Sequence, residues 1–82
     1  MSLEYYKKQM VDLRARLQKE KDAKKKDNEY YARMVKFSST PSGKASYRKS
    51  KIDRAASHDR QIESIKRQIE TCKDNIARER KR

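Results

Sequence analysis

His58 and Cys72 have the broadest chemistry in this chain, and each is the single example of its type. A histidine and a thiol can share a metal or form a nucleophile–base pair, but both uses require the two groups to converge on one point. They stand two heptads apart, which on a helix is a rise of roughly 21 Å. The carboxylates Asp53, Asp59 and Glu63 have basic neighbours, as surface ion pairs do, and no nucleophile–base set accompanies them. Pro41-Ser42-Gly43-Lys44-Ala45-Ser46 has a partial likeness to a phosphate-binding loop. It lacks the first glycine, the preceding strand and a Lys followed directly by Ser or Thr. The chain is therefore expected not to be an enzyme, with no catalytic, cofactor-binding or metal-binding residues and no small-molecule substrate.

The surroundings of His58 and Cys72 are helical. Cys72 belongs to the series Ala55, Ile62, Ile65, Ile69, Cys72 and Ile76, which advances mainly in threes and fours. At that spacing it acts as a small hydrophobe on a buried stripe. A matching series, Leu3, Tyr6, Met10, Leu13 and Leu17, runs through the first half of the chain. Continued at the same step it passes through Glu20, Lys24 and Asp27 and regains Tyr31 and Met34. Acid-before-base pairs at i,i+4 support that helix: Glu4–Lys8, Asp12–Arg16, Glu20–Lys24, Asp22–Lys26 and Glu29–Arg33.

Ser38-Ser39-Thr40-Pro41-Ser42-Gly43 breaks the pattern. Pro41 lacks an amide donor and disfavours helical geometry in Thr40. Gly43 would admit a left-handed conformation, and Thr40 or Ser46 could cap the next helix. Folding the chain at Pro41 sets Tyr6 opposite Ile76, Met10 opposite Cys72, Leu13 opposite Ile69 and Leu17 opposite Ile65. The expected fold is all-α: an antiparallel two-helix coiled-coil hairpin, associating into a dimer or four-helix bundle. Residues 1–82 form one unit, with helices at about 2–37 and 47–79 and a turn at about 38–46.

In this register the middle is polar. Lys24 falls opposite His58, Glu20 opposite Ile62 and Asp27 opposite Ala55, with Asp59 within reach of Lys24. A histidine facing a lysine is expected to resist protonation. Nearer the turn, Tyr30, Val35, Phe37, Tyr47 and Ile52 lie beside the seam, more apolar surface than one hairpin absorbs. A partner or a second copy would cover them.

Composition agrees with a packing module. The 82 residues are 44% charged and 33% hydrophobic, with one Gly, one Pro and no Trp. A globular core is not within reach of that apolar content. Both halves are basic, with 11 Lys/Arg against 6 Asp/Glu in residues 1–37 and 13 against 6 in residues 38–82. A net charge of +12 favours acidic partners. Lys44, Arg48, Lys49, Lys51 and Arg54, with Tyr47 among them, form a candidate anion-binding run. Lys24-Lys25-Lys26 and Arg80-Lys81-Arg82 are two shorter ones. No stretch is apolar enough for a signal peptide or a membrane span, and a lone cysteine suits a reducing cytoplasm.

The opening Met1-Ser2-Leu3-Glu4-Tyr5-Tyr6, the turn Ser38-Ser39-Thr40-Pro41-Ser42, the basic Arg48-Lys49-Ser50-Lys51-Ile52 and the spaced isoleucines share a layout with a known segment. It resembles the N-terminal coiled coil that precedes the TIR domain in some bacterial TIR-domain proteins. The resemblance implies a segment that assembles its protein so that NAD-cleaving or signalling domains come together. The TIR domain itself has no counterpart in these residues, so its catalytic glutamate is carried over to none of them.

The sequence therefore points to an oligomerisation or adaptor module of a bacterial or phage protein, acting by helix packing with itself or a partner. Its expected interface is Tyr6, Met10, Leu13, Leu17, Ile62, Ile65, Ile69, Cys72 and Ile76, extended by Tyr30, Phe37, Tyr47 and Ile52. The alternative is a basic helical protein that binds nucleic acid or another anionic surface.

Overall fold

A computed structural model describes residues 2–81. The chain forms two helices, α1 (Leu3–Phe37) and α2 (Pro41–Arg80), packed along each other in an antiparallel hairpin of 64 × 14 × 12 Å. Ser2 caps α1 by accepting from the Tyr5 amide at 3.3 Å. At the other end the Ser38 amide donates to the Met34 carbonyl, closing the last turn. A side-chain acceptor at the start of a helix satisfies an amide that has no partner within the helix.

The turn is shorter than the sequence suggested. Ser38, Ser39 and Thr40 alone join the helices, and α2 begins at Pro41 instead of near residue 47. Thr40, in extended geometry, accepts from the Gly43 amide at 3.0 Å, so it wins over Ser46 as the cap. Pro41 supplies the first helical position, where no amide donor is needed. Gly43 is helical, and no described glycine has a positive φ. What it provides is room. A β-carbon there would come within 2.4 Å of the Ser38 hydroxyl oxygen and 2.9 Å of Thr40 Oγ1.

The core sits at the end of the hairpin farthest from the turn. Met10, Leu13, Ile65, Ile69 and Cys72 are buried, and Tyr6, Leu17 and Ile76 pack against them. These eight residues are the four pairs expected from folding the sequence at Pro41. Cys72 is only 2% exposed, and its Sγ lies 3.1 Å from the Tyr6 carbonyl, to which the thiol donates. Ile62, at the edge of the core, is half-buried.

Past Leu17 the inward stripe of α1 continues through Glu20, Lys24, Asp27, Tyr31 and Met34, all half-buried. On α2 it runs Lys44, Tyr47, Lys51, Ala55 and His58, which includes two successive steps of four. The extra step departs from heptad spacing and turns Tyr47 onto the seam, where the sequence had placed it to one side. None of the five expected i,i+4 ion pairs of α1 closes. Glu20 and Lys24 reach across to α2 instead, and the short-range pairs on α2 include Glu63–Arg67 at 3.9 Å and Glu70–Lys73 at 3.4 Å.

With so small a core, one misplaced charge in it outweighs many surface contacts. Leu13→Asp should cost about 3 kcal/mol or more and abolish most helical circular dichroism. Val11→Asp, two residues away at a position 66% exposed, should leave the spectrum intact. Equal loss in both variants would show that the buried stripe does not hold the hairpin.

Candidate functional site

Between the core and the turn the two helices meet through charge. His58, whose side chain is 15% exposed, projects from α2 between Glu20 and Asp27 of α1. Its Nδ1 lies 2.6 Å from Glu20 Oε1 and its Nε2 lies 2.6 Å from Asp27 Oδ2. A neutral imidazole has one donor and one acceptor nitrogen, so it would turn a lone pair toward one of these carboxylates. Only the imidazolium donates at both ends. Hydrogen bonding to Asp27 and then to Glu20 raises the His58 pKa against the opposing effect of burial.

This overturns the expectation that His58 faces Lys24 and resists protonation. Lys24 turns aside to Asp59, donating to its Oδ1 at 2.6 Å. Glu20 and Asp27, one heptad apart on α1, then straddle the ring. Opposite-residue pairing missed this because side chains of this length reach diagonally, about one turn along the partner helix. The ring nitrogens face different carboxylates, so the three groups do not converge on one point. Among the described residues no group of three or more His, Cys, Asp or Glu is placed to hold a metal ion.

Arg54 extends the network. Its pKa is raised by its proximity to the Tyr31 phenol and the Asp27 carboxylate. The five residues of the candidate anion-binding run do not form one exposed patch. Lys44 and Lys51 are half-buried along the seam, whereas Arg48, Lys49 and Arg54 stand exposed. In the shorter runs Lys25, Lys26, Arg80 and Lys81 are exposed and Lys24 is half-buried, while Arg82 lies outside the described residues.

The expected interface divides in two. Tyr6, Met10, Leu13, Leu17, Ile65, Ile69, Cys72 and Ile76 are used within the hairpin. Near the turn, Phe37 is 74% exposed, Ile52 68% and Tyr30 47%, whereas Tyr47 and Val35 are half-buried. Residues 30–54, which frame the turn, carry seven Lys/Arg against the single acid Asp53. Sequence reasoning passed over Val11, which lies one place off the seam among charged neighbours and stands exposed. Among the described residues, no helix is long and apolar enough to cross a membrane.

The His58 clamp makes stability depend on pH. A histidine pKa raised in the folded state gives stability that is present below the unfolded value, ordinarily about 6.5, and lost as pH rises through the folded value. The melting temperature should therefore fall as pH rises above about 6.5. Relief of the chain's positive self-repulsion at high pH would act in the opposite direction. His58→Gln should remove the slope and cost on the order of 1–2 kcal/mol near pH 6. A melting temperature that changes with pH in the same way in the wild type and in His58→Gln would contradict the clamp.

Comparison with known proteins adds no relative: no family model, curated protein or solved structure matches the chain.

Proposed function

We propose that the chain is a coiled-coil hairpin module that works by helix packing, as an oligomerisation or adaptor segment of a bacterial or phage protein in the cytoplasm. The observation that carries this reading is the apolar surface left over at the turn end after the hairpin has closed. Phe37 and Ile52 remain largely wet there, and Tyr30 nearly half so. Exposed apolar side chains of that size, on a chain with so few apolar residues, mark a contact surface. The likeness of the opening, the turn and the isoleucine series to the coiled coil preceding bacterial TIR domains supports the same role, since that segment brings copies together.

The turn end also carries the charge asymmetry, which favours a second reading. Seven cations against one carboxylate could hold nucleic acid or another anionic surface, with Arg48, Lys49 and Arg54 exposed within the candidate run.

Salt separates the two readings. Self-association must bring basic turn ends together, so raising salt from about 50 to 500 mM should increase the light-scattering mass. Phe37→Ser with Ile52→Ser should return the chain to monomer without loss of helicity. A monomer at every salt and protein concentration would defeat self-association. Binding to a DNA oligonucleotide, in the second reading, weakens with salt and on neutralising the exposed Arg48 and Lys49. Absence of any shift at about 50 mM salt would remove that alternative.

A further inference from the structure

Two antiparallel helices leave a groove on each face of their seam, and near the chain ends the two grooves differ. On one face lie the residues one place beyond the seam: Lys7, Val11 and Arg14 of α1 with Lys73 and Ala77 of α2. Arg80 completes this lining, and Met10 and Ile76 form its floor. On the other face lie residues one place before the seam: Gln9 of α1 with Ser64, Gln68, Thr71 and Asn75 of α2. That second lining is amide and hydroxyl over Cys72, with Arg67 its one cation among the described residues. Among the described residues the first has four cations, no carboxylate and, above its apolar floor, the exposed Val11.

We infer that the first groove docks an acidic amphipathic helix of a partner protein; the inference rests on the helix-packing role proposed above and names the partner's chemistry. A cleft between two helices accepts a third whose apolar residues, three and four apart, reach the floor. The flanks of that helix then face Lys7 and Arg14 on one rim and Lys73 and Arg80 on the other. Cations on both rims call for Glu or Asp on both flanks. Lys73 also reaches Glu70 at 3.4 Å, an exposed surface pair that an incoming carboxylate can share. A second copy of the chain is a poor occupant, because it brings twice as many Lys/Arg as Asp/Glu, 24 against 12, to a surface that is already basic. The lining contains no aromatic ring on which a base could stack, which disfavours single-stranded nucleic acid.

The test uses the full chain and a fluorescent synthetic peptide about three heptads long, with Leu on its seam and Glu on both flanks. Anisotropy is read at about 150 mM salt to suppress long-range attraction to a basic protein. The peptide should bind and gain helix, and a shuffled peptide of the same composition should bind at least about tenfold more weakly. Arg14→Glu should weaken binding by about tenfold, whereas Arg67→Glu, the same charge change in the other groove, should leave it within about twofold. Val11→Ser, which changes no charge and sits at an exposed position, should weaken it several-fold; this variant decides if Arg14→Glu loses helicity. Equal effects of the two arginine substitutions, or equal binding of the two peptides, would overturn the proposal. So would displacement of the peptide by an oligothymidine whose own binding is lost in Arg14→Glu and kept in Arg67→Glu. The self-association test uses the turn end, so failure of either leaves the other standing.

Discussion

Everything in this hairpin depends on the apolar seam near its open end. Eight residues, from Tyr6 to Leu17 and from Ile65 to Ile76, form it: five are buried and three half-buried residues pack against them. They lie far from the turn, so the two helices are tied at one end by burial and at the other by the chain itself. Closing the long segment between them adds only a slowly growing entropic cost, because that cost rises with the logarithm of loop length. Without the seam, two helices of a chain with net charge +12 would have little reason to remain side by side.

The charged waist depends on the seam and refines it. Apolar packing tolerates a slide of one heptad more readily than charged groups do, since one leucine replaces another. Glu20 and Asp27 stand one heptad apart with His58 between them, so a slide of one heptad leaves the ring beside one carboxylate at most. The imidazolium thus marks a single register. Lys24–Asp59 adds a cross-helix pair, but with 33% and 58% of the side chains exposed it contributes little.

Much of this was legible in the sequence. Steps of three and four, broken by a Ser/Thr-Pro-Ser-Gly segment, were enough to place both helices and all eight seam residues. What escaped was the detail set by side-chain reach and local caps. His58 faces carboxylates because long side chains meet diagonally, a degree of freedom that one-to-one pairing omits. α2 starts early because the Thr40 hydroxyl, not that of Ser46, meets a free amide. Tyr47 joins the seam because of one additional step of four. The contrast between the two grooves was written one residue to either side of the seam, where a search for apolar periodicity does not look.

The hairpin therefore divides its labour along its length: packing near the chain ends, register at the waist, and an exposed apolar and basic turn. The most direct test of this account is a distance measurement within one chain. Spin labels at exposed Lys8 and Asp74, in a Cys72→Ala background, would sit close across the hairpin; on an open helix the same sites would be about 100 Å apart. The account predicts a short distance that survives dilution with excess unlabelled protein. A long distance, or a short one that disappears on dilution because helices are exchanged between chains, would contradict it.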